Sequence, residues 1–156
     1  MINFNNNNIT FSVRSAGVLI DRGRILMQRK KGDNCWALPG GRVEMGERSD
    51  VTLPREFKEE IGVDGITIQR LLYVAETFFK FKGESHHQIS FYYLMSLPNN
   101  FIYSNVERFD GLEKEKNIEY AWIDLNNLKR FSVKPDFLQE ELVNIQPYVK
   151  HIVEYQ

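Results

Sequence analysis

Apolar and polar positions run in short blocks through the first third of the chain, change to a four-residue period, and then return to long apolar runs. Phe11 to Ile20, rich in β-branched and apolar residues, reads as a strand. Asp21-Arg22-Gly23 is a turn, and Arg24 to Arg29 is the hairpin partner. Lys30 to Asn34 is a polar loop. Cys35-Trp36-Ala37-Leu38 is a short apolar strand ended by Pro39-Gly40-Gly41, whose glycines reach backbone angles closed to other residues.

The period changes between Ser49 and Ile61. Leu53, Phe57 and Ile61 recur every four residues and form the core stripe of a helix, with Gly62 as its C′ residue. Glu56, Glu59 and Glu60 stand at i, i+3 and i+4, so they share a different face of that helix. Pro54 removes an amide donor and disfavours helical geometry at Leu53. It predicts a distorted first turn, with the regular helix starting late, near Pro54 itself.

Ile66 to Lys80 and His87 to Leu97 read as an antiparallel pair around Phe81-Lys-Gly-Glu-Ser. Pro98-Asn99-Asn100 breaks the chain, Asp110 to Asn117 is a charged loop, and Glu119 to Asp124 is a short strand around Trp122. Asp124-Leu-Asn-Asn-Leu starts a short helix. Pro135 to about Tyr155 predicts a helical tail (residues 135–156), interrupted at Pro147. Met1 to Thr10 is an asparagine-rich N-terminal segment without the features of a signal peptide. With no repeat or linker, the expectation is one domain over 1–156, of α/β class, with helices packed on a mixed sheet.

Composition narrows the partners. Apolar residues make up 42% and charged residues 26%, while a net charge of −1 and a pI near 6.3 give no electrostatic case for nucleic acid or a membrane surface. No apolar run approaches the roughly 18 residues that span a bilayer. Cys35 is the sole cysteine, which excludes an intrachain disulfide and a four-cysteine zinc site and fits a reducing compartment. The expected location is the cytoplasm.

Glu47, Glu56, Glu59 and Glu60 follow closely on the Pro39-Gly40-Gly41 loop. Clustered carboxylates repel one another, so their gathering calls for a cation. Oxygen ligands alone select a hard one, Mg2+ or Mn2+. The full pattern is Gly41, five residues, Glu47, seven residues, then Arg55-Glu56-Phe57-Lys58-Glu59-Glu60-Ile61-Gly62-Val63. This resembles the signature box of the MutT-like Nudix hydrolases at every defining position. Seven identities at usages of ~6–7% each would coincide on the order of 10⁻⁶ per chain of this length, so the resemblance outweighs a bare glycine motif. The hairpin before the box, Trp36-Ala37-Leu38-Pro39-Gly40 and the Glu-rich loop before Trp122 extend it over nearly the whole chain.

The resemblance implies an α/β/α sandwich in which a loop-helix-loop carries the box. It implies hydrolysis of a diphosphate bond in a nucleoside diphosphate joined to another group, with Mg2+ or Mn2+ as cofactor. Glu56 and Glu60 would be the principal metal ligands, Glu59 a third, and the Gly40 carbonyl a backbone ligand. Arg55 would hold the loop through Glu47. The general base varies within the family between a box residue, here Glu56 or Glu59, and a glutamate in the later loop. That loop offers Glu113, Glu115 and Glu119, of which Glu115 is favoured by its distance from Trp122.

Other positions stay open. Arg29, Arg14 and Gly41 are candidates for substrate phosphate, with an ordinary surface role equally weighted for the two arginines. His86 and His87, beside a glycine turn, are expected to be solvated. Phe78, Phe79, Phe81, Phe91, Tyr92 and Tyr93 should divide between core and a nucleobase site. Cys35 is expected to pack rather than react. The competing function is a nucleotide-binding or regulatory module that has lost catalysis, against which the complete box speaks. RNA decapping and isoprenoid isomerisation are disfavoured by the near-neutral charge and by the setting of Cys35. A homodimer is left open, and the substrate is not ranked.

Overall fold

The computed structural model describes residues 1–156. β1 (Asn3–Asn6), β2 (Ile9–Asp21), β3 (Arg24–Lys30), β4 (Cys35–Trp36) and β5 (Gly40–Arg42) lead into α1 (Ser49–Ile61). The long hairpin β6 (Thr67–Phe81) and β7 (Glu84–Ser96) follows, then β8 (Arg108–Asp110) and β9 (Ile118–Asp124). β10 (Ser132–Val133), α2 (Leu138–Glu141) and β11 (Lys150–Tyr155) complete the chain, with 3₁₀ segments at Lys114–Lys116 and Leu125–Arg130. No helix is long and apolar enough to cross a membrane.

Strand β2 organises the nine-stranded sheet. Along one edge it pairs in parallel with β7, from Ile9 opposite Ser85 to Leu19 opposite Met95. Its other edge is shared in succession by β1, by β5 at Arg14–Ala16, and by β3 at Ile20–Asp21. The sheet therefore parts between β5 and β3, where the Pro39 carbonyl just ahead of Gly40 accepts from the Gly17 amide at 2.8 Å. The main path runs β11-β6-β7-β2-β3-β9-β8.

Helix α1 covers one face. Leu53, Phe57 and Ile61 are buried against Leu19, Met95 and Trp122, as their four-residue spacing requires. Gly17 makes room for Met95 beneath the helix: a Cβ there would meet the Met95 sulfur and methyl group. On the opposite face Leu138 and Leu142 pack with Trp36, Tyr73 and Tyr92. The result is the expected α/β/α layering, built on a mixed sheet.

The C-terminal tail departs from the helical expectation for residues 135–156. Helix is confined to Leu138–Glu141, and Lys150–Tyr155 forms a strand parallel to β6, with Ile152 opposite Ala75. Pro147 removes a helical donor ahead of this stretch, and the free edge of β6 supplies a ladder of partners that an isolated helix lacks. The asparagine-rich N-terminal segment also gains structure. Asn7 and Asn8 take positive φ (50° and 65°), the conformation of a tight hairpin turn, and fold β1 back on β2.

His86 and His87 are half-buried, not solvated. The β6–β7 register sets them opposite Phe79 and Phe78, and each ring stacks on its partner with centroids 5.0 Å and 4.5 Å apart. His87 belongs to a row of rings, Phe4, Phe11, His87, Phe78 and Tyr155, that crosses five neighbouring strands. The same row ties the terminal strands to the sheet.

Pro54 does not delay the helix. α1 begins at Ser49, and its first turn is tightened, with the Arg48 carbonyl accepting from the amides of both Val51 (3.0 Å) and Thr52 (3.3 Å). Pro54 leaves the Asp50 carbonyl without the amide donor of a regular helix. Pro54→Ala restores that donor and is expected to stabilise the fold by about 1–2 kcal/mol, net of greater freedom in the unfolded chain. Thermal unfolding checks this, and an unchanged or lower midpoint would contradict it.

Candidate active site

The loop from β5 to α1 is drawn together by one carboxylate. Glu47 Oε1 accepts from Arg55 Nε at 2.7 Å and Oε2 from Arg55 Nη2 at 3.1 Å, a two-pronged ion pair. Oε2 also accepts from Thr52 Oγ1 at 2.8 Å and from the Glu44 amide at 3.0 Å. These donors, the Arg55 guanidinium foremost, hold the Glu47 carboxyl well below its ordinary range, at about 2. Arg55 is correspondingly held in its charged form, and its Nη1 reaches Glu56 Oε1 at 2.9 Å.

Glu56 lies against the backbone of β5. A Cβ added to Gly41 would fall 2.2 Å from the Glu56 carboxyl carbon, so glycine is required there for the carboxylate to lie where it does. Burial pushes the Glu56 carboxyl up, the neighbouring charges of Glu60 and Glu59 add to this, and Arg55 opposes it. Glu60 is held from the other side: Tyr120 donates its hydroxyl to Oε2 at 2.9 Å, and Lys116 Nζ stands 3.5 Å from Oε1. Glu59 is the most exposed of the three, with a single long contact of 3.4 Å to Arg55. No three carboxylates converge on one point in this arrangement; Arg55 Nη1 links Glu56 and Glu59, while Lys116 and Tyr120 hold Glu60.

As donors, the set suits a hard divalent ion: Glu56, Glu59 and Glu60 supply only oxygen, and the buried Gly40 precedes, on β5, the glycine that abuts Glu56. Glu115 lies exposed on the 3₁₀ turn Lys114–Lys116 and makes no ion pair or hydrogen bond to these carboxylates. Its neighbours behave differently, since Lys116 bridges Glu113 (3.1 Å) and Glu60. Glu119 is bound to Arg29 at 2.6 Å.

A cavity of about 660 Å³ opens beside β5 and β2. Arg14, Arg42, Lys80 and Lys134 line it, with Phe79, Phe81, His86 and Tyr92, and no aspartate or glutamate does. Arg14 and Arg42 form no ion pair; Arg14 Nη2 contacts the Leu38 carbonyl at 3.3 Å. Cys35 lines the cavity as a small side chain. Arg29 is elsewhere, its guanidinium 4.3 Å over the Trp36 ring and paired with Glu119. Arg42, Lys80, Lys134, Tyr120 and Lys116 were not singled out by the sequence. Two of them had a readable cue, Arg42 lying inside the box and Tyr120 two positions before Trp122 on the same strand face.

The NUDIX domain family model matches residues 12–141, and the chain belongs to the Nudix family. Its α/β/α sandwich is the fold of solved Nudix-family proteins. Among its relatives is an RNA pyrophosphohydrolase from Marinomonas sp. (strain MWYL1), 36% identical over 52 residues. That match spans 32% of this chain and 32% of the relative, so about a third of each is aligned. A MutT protein from Bacillus halodurans shares the fold with a TM-score of 0.63 at 14% identity, over 92% of this chain and 89% of that one. An ADP-ribose pyrophosphatase from Streptococcus suis does so with a TM-score of 0.57 at 15% identity, over 92% and 98%.

The Glu47 ion pair has a pH signature. Folded Glu47 binds its proton less readily than the unfolded residue, with values of about 2 against 4.5. Its contribution to stability is therefore full above about pH 4.5 and is lost as pH falls toward 2. Glu47→Gln is expected to unfold at lower temperature than the wild type at pH 7, with the gap closing toward pH 2. Unfolding midpoints across that range check this, and a gap independent of pH would contradict it.

Proposed function

We propose that the protein hydrolyses a diphosphate bond in a nucleoside diphosphate joined to a further group, with Mg2+ or Mn2+ held by Glu56, Glu60 and Glu59 and by the Gly40 carbonyl. The supporting observation is the juxtaposition at β5 of an acidic helix face with a cavity lined by four cationic side chains and by no aspartate or glutamate. A diphosphate is repelled by the glutamates and attracted by the cavity, so it can bridge them once a cation screens the helix. When bound, the ion neutralises phosphoryl oxygens and eases departure of the leaving phosphate.

The remaining roles fall to side chains. Arg14 and Arg42, unpaired with any carboxylate, hold phosphate oxygens; Arg29, committed to Glu119, does not. Gly41 keeps the backbone clear beside Glu56. Phe79 with the His86 ring on it, and Tyr92, give a nucleobase an apolar and aromatic surface. Glu59, exposed and loosely held, takes the proton of the attacking water. Glu115 is the second candidate for that base. Glu47 and Arg55 brace the loop without touching substrate.

An ADP-ribose pyrophosphatase, a UDP-X diphosphatase and an RNA pyrophosphohydrolase among the similar proteins set the substrates to compare: ADP-ribose, a UDP derivative and RNA. Each is incubated with protein and Mg2+, and the products are identified by mass. Cleavage between the two phosphates of a nucleoside diphosphate derivative is expected, slowed roughly 100-fold in Glu60→Gln. Equal release by both proteins would sink the proposal.

A further inference from the structure

The environment of Glu60 extends the metal-dependent reading above and rests on it. Tyr120 is 1% exposed. Its ring stacks on Phe109 with centroids 5.1 Å apart, and Phe109 stacks on Tyr103 at 3.8 Å. Both ends of this three-ring column grip the last turn of α1. Tyr103 donates its hydroxyl to the Ile61 carbonyl at 3.3 Å, and Tyr120 donates to Glu60 Oε2 at 2.9 Å. The Leu112 amide adds a bond to the Glu60 carbonyl at 2.7 Å. The backbone of Glu60 and one of its carboxylate oxygens are thus fixed from the β8–β9 side.

The other oxygen is treated differently. Oε1 faces Lys116 Nζ at 3.5 Å, and that ammonium is also 3.1 Å from Glu113. Lys116 is half exposed on a flexible stem, so it can give up Glu60 and keep Glu113 with little reorganisation. Tyr120 has no such freedom, being packed in its ring column. A neutral phenol donates one hydrogen bond and leaves the carboxylate charge intact. It orients Glu60 without neutralising it.

We propose that Tyr120 is a positioning residue for ion binding. Its hydroxyl commits Oε2 of Glu60 and leaves Oε1, faced by the Lys116 ammonium, as the oxygen that would hold a divalent ion once Lys116 gives it up. Hydrogen bonds of this kind to a metal-binding side chain are worth about 10–100-fold in affinity. Removing a competing cation acts in the opposite direction.

The test is a titration of Mn2+ into the full-length protein without substrate, with free ion read by electron paramagnetic resonance. Tyr120→Phe keeps the ring and its stack and loses only the hydroxyl; its Kd for Mn2+ is expected to rise about tenfold. Lys116→Met is expected to bind Mn2+ more tightly than the wild type. Tyr103→Phe, which releases the other end of the column, should keep the wild-type Kd. Wild-type affinity in either Tyr120→Phe or Lys116→Met overturns the proposal, as does an equal loss in Tyr103→Phe, which would mark a general loosening. Glu60→Gln separates this from the underlying reading. If the wild type binds no Mn2+, or Glu60→Gln binds it equally well, both fall. If Glu60→Gln loses the ion and Tyr120→Phe keeps it, the role of Tyr120 alone falls.

Discussion

The two-pronged ion pair between Glu47 and Arg55 is the contact on which the site depends. It joins the loop that leaves β5 to the second turn of α1, and through Arg55 Nη1 it also reaches Glu56. Glu47 is largely shielded from solvent and collects two further donors, Thr52 and the Glu44 amide. A pair with this geometry and partial burial is worth more than an exposed one. The carboxylates of α1 repel one another, and Arg55 on the same helix offsets that repulsion by pairing with Glu56 and Glu59.

The sheet supplies the second constraint. Because β2 gives one edge to β7 and divides the other among β1, β5 and β3, the sheet parts between β5 and β3. Gly41 brings Glu56 against the backbone on the helix side, while Arg14 and Arg42, opposite each other in the β2–β5 register, line the cavity. Opposite charges are thereby kept apart by a single strand. The aromatic column Tyr120–Phe109–Tyr103 closes the far end of α1, so the helix is held at both ends by groups from different parts of the chain.

Much of this was legible where local pattern and tertiary need agree. The spacing of Leu53, Phe57 and Ile61 gave the buried stripe of α1, and the hairpin around Lys82-Gly83 followed from apolar runs flanking a turn. The box gave the family. The tail departs from its helical reading because Phe137, Leu138 and Leu142 carry helical spacing, whereas the choice of strand for Lys150–Tyr155 rests on an edge of β6 that is 77 residues away in sequence. His86 and His87 looked like turn residues; only the strand register reveals the rings opposite them. Contacts such as Tyr120 with Glu60, 60 positions apart, have no local signature at all.

The central claim is that the acidic face of α1 holds a divalent ion across β5 from the cationic cavity. Its most direct test is a crystal of the protein grown with Mn2+ and examined by anomalous scattering. The account predicts a manganese peak within about 2.2 Å of carboxylate oxygens from both Glu56 and Glu60. A well-occupied peak elsewhere, with Arg55 and Lys116 still paired to these glutamates, would contradict it.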